Sequence, residues 1–211
     1  MAELVRLLEV DVPPGQGVRS GWTWEEQART ALRTALDERS SLPEECFDAL
    51  MKAAVHDPNP SFNRQFVEPA LFAFGHRRVQ LALLHHLRTG TDPERAGAAR
   101  AWYWSALPPR KDMESGIPDG KSEAGIEDVA DIATAWREAA LREFVGNEHL
   151  DVRRCILPGL PLYPAAYPPD LRPLVDSAVA IARSHSDAYM RHRVEHQIRR
   201  SASGSGEYRA M

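Results

Sequence analysis

His192-Arg193-Val194-Glu195-His196 sets two imidazoles one helical turn apart with a carboxylate beside them. In that pattern His192 and His196 are two candidate zinc ligands, and Glu195 stands where the base for a metal-activated water would be. A hydrolytic site also needs a third protein ligand, and after Ser201 the sole acidic residue is Glu207. The expectation from the residues is therefore no metal, no cofactor and no catalytic group here, with His192 and His196 as surface or packing histidines. His76, His85 and His86 form a second imidazole group, but adjacent residues on a helix point about 100° apart, so His85 and His86 diverge. Ser184-His185-Ser186-Asp187 holds residue types used in nucleophilic catalysis, yet adjacency in sequence gives no triad geometry and the segment reads as an interhelical turn. A glycine-rich phosphate loop is absent from the sequence, so ATP or GTP chemistry has no support.

The residues suited to recognition are more numerous. Trp102-Tyr103-Trp104 cannot all enter one narrow core stripe, so at least one ring is left for another helix layer or a partner. Arg77, Arg78, Arg153 and Arg154, with Arg191 and Arg193, fall near comparable helix starts. Stacked in parallel, some of them would form a basic ridge whose planar donor forks suit phosphate or carboxylate. The plainer expectation is pairing with acidic neighbours such as Glu68, Glu143, Glu148, Asp151 and Glu195. Trp22 and Trp24 read as a cap on the N-terminal end of the helices, and Phe72 and Phe74 flank the turn at Gly75.

The elements that must position these residues are helical. Trp24, Ala28, Ala31, Leu32, Ala35 and Leu36 recur at one-turn spacing, and Thr23 with Glu25 and Glu26 gives an acidic start. A second helix opens at Leu42-Pro43-Glu44-Glu45 and ends near His56-Asp57-Pro58. Gly75 permits a tight reversal between the stripe Phe66, Val67, Ala70, Leu71, Phe74 and the stripe Val79, Leu81, Ala82, Leu83, Leu84, Leu87. Pro69 would bend or break the first of these helices. Asp92 is expected to cap the next helix, with Pro93 in its first turn. Ile132, Ala133, Trp136, Ala140, Leu141 and Phe144 form one further face, and Gly146-Asn147 turns the chain into Leu150, Val152, Cys155 and Ile156. The prolines between 158 and 169 interrupt regular helix before a last pair over 171–182 and 187–198. Leu4 to Val10 is too short to choose between helix and strand. The chain thus reads as a variable N-terminal segment (1–21), one helical domain (22–198) with a loop at 108–128, and a flexible tail (199–211).

At 211 residues, 43% hydrophobic and 27% charged, the chain can bury a substantial core. A formal charge of -4 gives no general attraction to polyanions. No run is long and uncharged enough for a membrane span and no secretory signal is evident, which makes the cytoplasm the expected location. Cys46 and Cys155 suit reduced core thiols.

Three segments share a loose pattern in which an apolar stripe meets a basic second helix: Gly75-His76-Arg77-Arg78-Val79-Gln80, Glu148-His149-Leu150-Asp151-Val152-Arg153-Arg154 and Ser186-Asp187-Ala188-Tyr189-Met190-Arg191. Such recurrence is the mark of stacked helix pairs. The arrangement, over roughly Glu44 to Ile198, resembles HEAT or armadillo-like α-helical repeats, an all-α superhelix or irregular stacked bundle. That resemblance implies a macromolecule-binding surface rather than a named reaction: a noncatalytic protein-binding or scaffold module through Trp102, Tyr103, Trp104, Arg77, Arg78, Arg153 and Arg154. It leaves as alternatives a nucleic-acid-binding protein, similar to the helical-repeat DNA glycosylases, and a homo-oligomer whose exposed aromatics meet. His192, Glu195 and His196 resemble the inverted zinc-peptidase motif, which would imply a metal-dependent hydrolase. In that family a further acidic ligand lies well downstream, a position this sequence does not supply.

Overall fold

The computed structural model describes residues 1–12, 23–39, 41–57, 59–107 and 129–204. Among them are ten α-helices, two short 3-10 turns and no strand. The N-terminal segment left open by its length is a helix, α1 (Ala2–Leu7), because Leu4 and Leu8 both reach the core and a one-turn spacing is what lets them do so. Arg39 fastens its end by donating to the Leu8 carbonyl at 2.7 Å.

Helix α2 (Trp24–Asp37) starts in a reciprocal cap: Thr23 N–H donates to the Glu26 carboxylate at 2.7 Å, and Glu26 N–H to Thr23 Oγ1. Helix α3 (Cys46–His56) begins after Pro43 rather than around it, since the Pro43 carbonyl accepts from Cys46 N–H in a preceding turn. Helix α4 (Pro60–Phe74) continues through Pro69, so of the expected bend or break the break does not occur. Gly75, at φ 83°, is the reversal into α5 (His76–Thr89), a conformation in which a side chain would be strained. Helix α6 (Asp92–Ser105) is capped by Thr91, not by Asp92. The Glu94 carboxylate accepts from both the N–H and the hydroxyl of Thr91 at 2.7 Å, making Asp92 the first helical residue.

Helices α7 (Ala130–Gly146) and α8 (Leu150–Ile156) are joined by Asn147, whose side chain donates to Asp92 and Glu143. The prolines then impose two 3-10 turns, Leu157–Gly159 and Pro164–Ala166, before α9 (Arg172–Ser184) and α10 (Ala188–Gly204). Helix α10 carries regular structure beyond the limit of 198 expected from the sequence. The expected loop at 108–128 and residues 205–211 of the expected tail lie outside the described residues.

Helix α6 is the hub of the packing. It touches α3, α4, α5 and α8, and its Ala96, Gly97, Ala98 and Ala101 are small enough to admit several neighbours at once. The closest approach is at Gly97, where a Cβ would fall 1.8 Å from the Val55 carbonyl oxygen of α3. From that centre the stacking continues outward, α5 against α7, α7 against α9 and α9 against α10, while α8 lies on α6. One continuous apolar cluster runs through all of it, from Leu4 to Val194. The architecture is an all-α stacked helical bundle.

Candidate recognition site

The three aromatic residues at the end of α6 separate into different roles. Trp102 stacks flat on Trp136 of α7, with ring centroids 4.0 Å apart and an interplanar angle of 3°. Trp104 turns toward α4, where its indole N–H donates to the Asn63 side-chain oxygen at 2.9 Å and Arg64 lies over its ring. Asn63 is fully buried, and among the described residues its amide nitrogen has no hydrogen-bond partner. Tyr103 stands between them at 59% exposure, edge-on to Trp104. Of the triplet, two rings therefore hold helices together and one faces solvent. Phe62, adjacent to Asn63 in the chain with Arg29 over its ring, and Leu107, after α6, are also exposed. Gln80 of α5, donating to the Ser105 carbonyl at 3.0 Å, fixes the same helix end. The Asn63 and Gln80 contacts are not legible from pattern, since both are polar residues on otherwise apolar helical faces.

The arginines do not make one ridge. Arg77 forms a two-pronged pair with Asp131 at the start of α7, at 3.1 and 3.2 Å. Arg78 pairs with Glu44 just ahead of α3 and lies over the Phe47 and Phe74 rings. These guanidinium groups hold the Asp131 and Glu44 carboxyls below their ordinary range through hydrogen bonding. Arg153, by contrast, donates to the Phe144 and Val145 carbonyls at the other end of α7. About 13 residues of helix, roughly 20 Å, separate the two arginine pairs. Arg154 lies over the Tyr189 ring, 5.2 Å from its centroid. Pairing with acids thus holds for Arg77 and Arg78, whereas the acids singled out in the sequence are taken by other arginines: Glu68 by Arg64, Glu143 by Arg95, Asp151 by Arg100 and Glu195 by Arg183.

Glu195 is held by Arg183 of α9 at 2.7 Å, which lowers its pKa, while His192 and His196 are exposed along α10. His85 shares a hydrogen bond with the Thr89 hydroxyl, and His86 faces Glu94, as does His56. Burial pushes the His76 and His86 pKa values down. Among the described residues no group of three or more His, Cys, Asp and Glu is placed to hold a metal ion. In the segment from Ser184 to Asp187, Ser184 Oγ donates to the Ala180 carbonyl, and Asp187 N–H donates to His185 Nδ1. The Asp187 carboxylate accepts from Met190 N–H, capping α10. These three side chains are thus engaged by backbone at a turn. Cys46 and Cys155 are free thiols, each with its pKa raised by burial. No described helix is long and apolar enough to cross a membrane.

Comparison with protein-family models, with curated proteins and with solved structures finds no match to this chain.

Proposed function

We propose that the protein is a noncatalytic recognition module of HEAT or armadillo-like character that binds another protein through the exposed end of α6. The carrying observation is Tyr103, a large aromatic side chain left facing solvent on a helix whose neighbouring rings, Trp102 and Trp104, are locked in place by Trp136 and Asn63. An aromatic residue on a rigid base loses little conformational freedom on binding, and such residues supply much of the energy at protein interfaces. Stacked helices favour this role because each adds exposed side chains to one surface without rebuilding the core. Photo-crosslinking tests the reading. With benzoylphenylalanine in place of Tyr103, exposure to cell extract should yield discrete protein adducts that survive nuclease treatment. The same group in place of Asp176, exposed on α9, should not. Adducts removed by nuclease, or equal labelling from both positions, would sink the proposal.

A further inference from the structure

We infer that the edge formed by α8 and α10 is a docking face for a short acidic, partly apolar protein segment. The inference rests on the recognition reading above but on a different surface, and it names the chemistry of the partner.

Charge is unevenly distributed along the chain. Through Glu148 it has 17 Lys and Arg against 24 Asp and Glu, whereas after Glu148 it has nine against six. The structure sharpens that contrast. Arginines of the earlier helices, including Arg29, Arg64, Arg77, Arg78 and Arg95, pair with carboxylates. Arg153, Arg191 and Arg193 donate instead to backbone carbonyls, of Phe144 and Val145, of His185 and Ser186, and of Pro158. Arg154 rests on the Tyr189 ring. Among the described residues none of these four has a carboxylate within ion-pair distance.

Of the nearby acids, Glu148 stands exposed just before α8, and three others are engaged elsewhere. Asp151 turns to Arg100, Asp187 caps α10 at Met190 N–H, and Glu195 pairs with Arg183. Positive charge is therefore left uncompensated beside exposed apolar surface. Leu150 and Tyr189 are each 39% exposed. Leu150 lies one turn before Arg154 on α8, and Tyr189 one turn before Arg193 on α10, so apolar and cationic side chains alternate across the two helices.

Size and field select the partner. The exposed stretch of α10 from Tyr189 to His196 is about 10 Å long, the reach of a few extended residues. Arginine forks fit carboxylates in pairs, and Leu150 with Tyr189 offers contact for one or two apolar side chains. A long phosphate chain would have to leave this edge for surface whose arginines are already paired and whose net charge is negative, where repulsion replaces attraction. A short acidic segment meets only the favourable part.

The test is fluorescence anisotropy with the full chain and a labelled 12-residue peptide, Glu-Glu-Leu-Phe repeated three times. Saturable binding that weakens between 50 and 500 mM salt is expected, since exposed charge pairs are screened over that range. Arg154→Glu should weaken binding at least tenfold, and Tyr189→Ala several-fold, with unchanged circular dichroism because both side chains are exposed. Arg33→Glu, on α2, should leave it unchanged. Absence of binding at 1 mM peptide would overturn the inference, as would equal affinity in the Arg154→Glu variant. Tighter binding of a twelve-nucleotide thymidine strand would overturn it in favour of a phosphate ligand. Absence of peptide binding to the parent protein with Tyr103 crosslinks intact would refute this face alone and leave the recognition reading standing.

Discussion

Replacing Gly97 with alanine sets two known effects against each other, and the structure decides between them. In a helix interior alanine is favoured over glycine by about 1 kcal/mol, so propensity alone predicts stabilisation. At Gly97, however, the new Cβ would lie 1.8 Å from the Val55 oxygen and 2.7 Å from its carbonyl carbon. Both are backbone atoms of α3, so no side chain can rotate out of the way. Relief requires α3 and α6 to separate by on the order of 1 Å, which loosens the small-residue packing of Ala96, Ala98 and Ala101 around the hub. Overpacking a core costs about 1–3 kcal/mol, and with only backbone to move the upper end applies, so a net loss of roughly 2 kcal/mol is expected after the propensity gain. For a protein of this length that lowers the melting temperature by about 4–8 °C. Gly146 is the internal control: it ends α7, is exposed, and a Cβ there meets nothing within 4 Å. Gly146→Ala should be neutral or stabilising by up to about 1 kcal/mol. Urea unfolding of both variants beside the parent protein measures the difference. A Gly97→Ala protein as stable as its parent would refute the close crossing of α3 and α6.

Two other perturbations follow from the same geometry. Trp104→Phe keeps a ring but removes the donor to Asn63, leaving a fully buried amide without that bond; a loss of about 1–3 kcal/mol is expected, and unchanged urea stability would contradict the contact. Burial depresses the His76 and His86 pKa values below the ordinary 6.5, so the unfolded chain takes up protons first as the pH falls. Stability present above about pH 6.5 should be lost progressively below it, with Glu94 adding a second loss on further acidification through its own carboxylate range. Melting curves from pH 8 to 5 should show the first decline, and His86→Gln should flatten it; an unaltered slope would show that His86 does not contribute.

Helix identity was legible in the sequence because it depends on local period and punctuation. The stripe of Ala28, Leu32 and Leu36, the acidic start at Thr23 and the reversal at Gly75 are each written within a few residues, and each appears in the fold. The cap at Thr91 in place of Asp92 and the unbroken passage through Pro69 were decided by balances too small for pattern to resolve. Site geometry is another matter. Arg77 and Arg153 looked equivalent because each follows an apolar stripe, but their partners, Asp131 and the Phe144 carbonyl, stand at opposite ends of α7. That Tyr103 is exposed between two anchored tryptophans depends on Trp136 and Asn63, residues 34 and 41 positions away from their partners in the chain. Periodicity fixes which residues share a face of one helix, and the packing of helices remote in sequence determines which of those faces remain open to a partner.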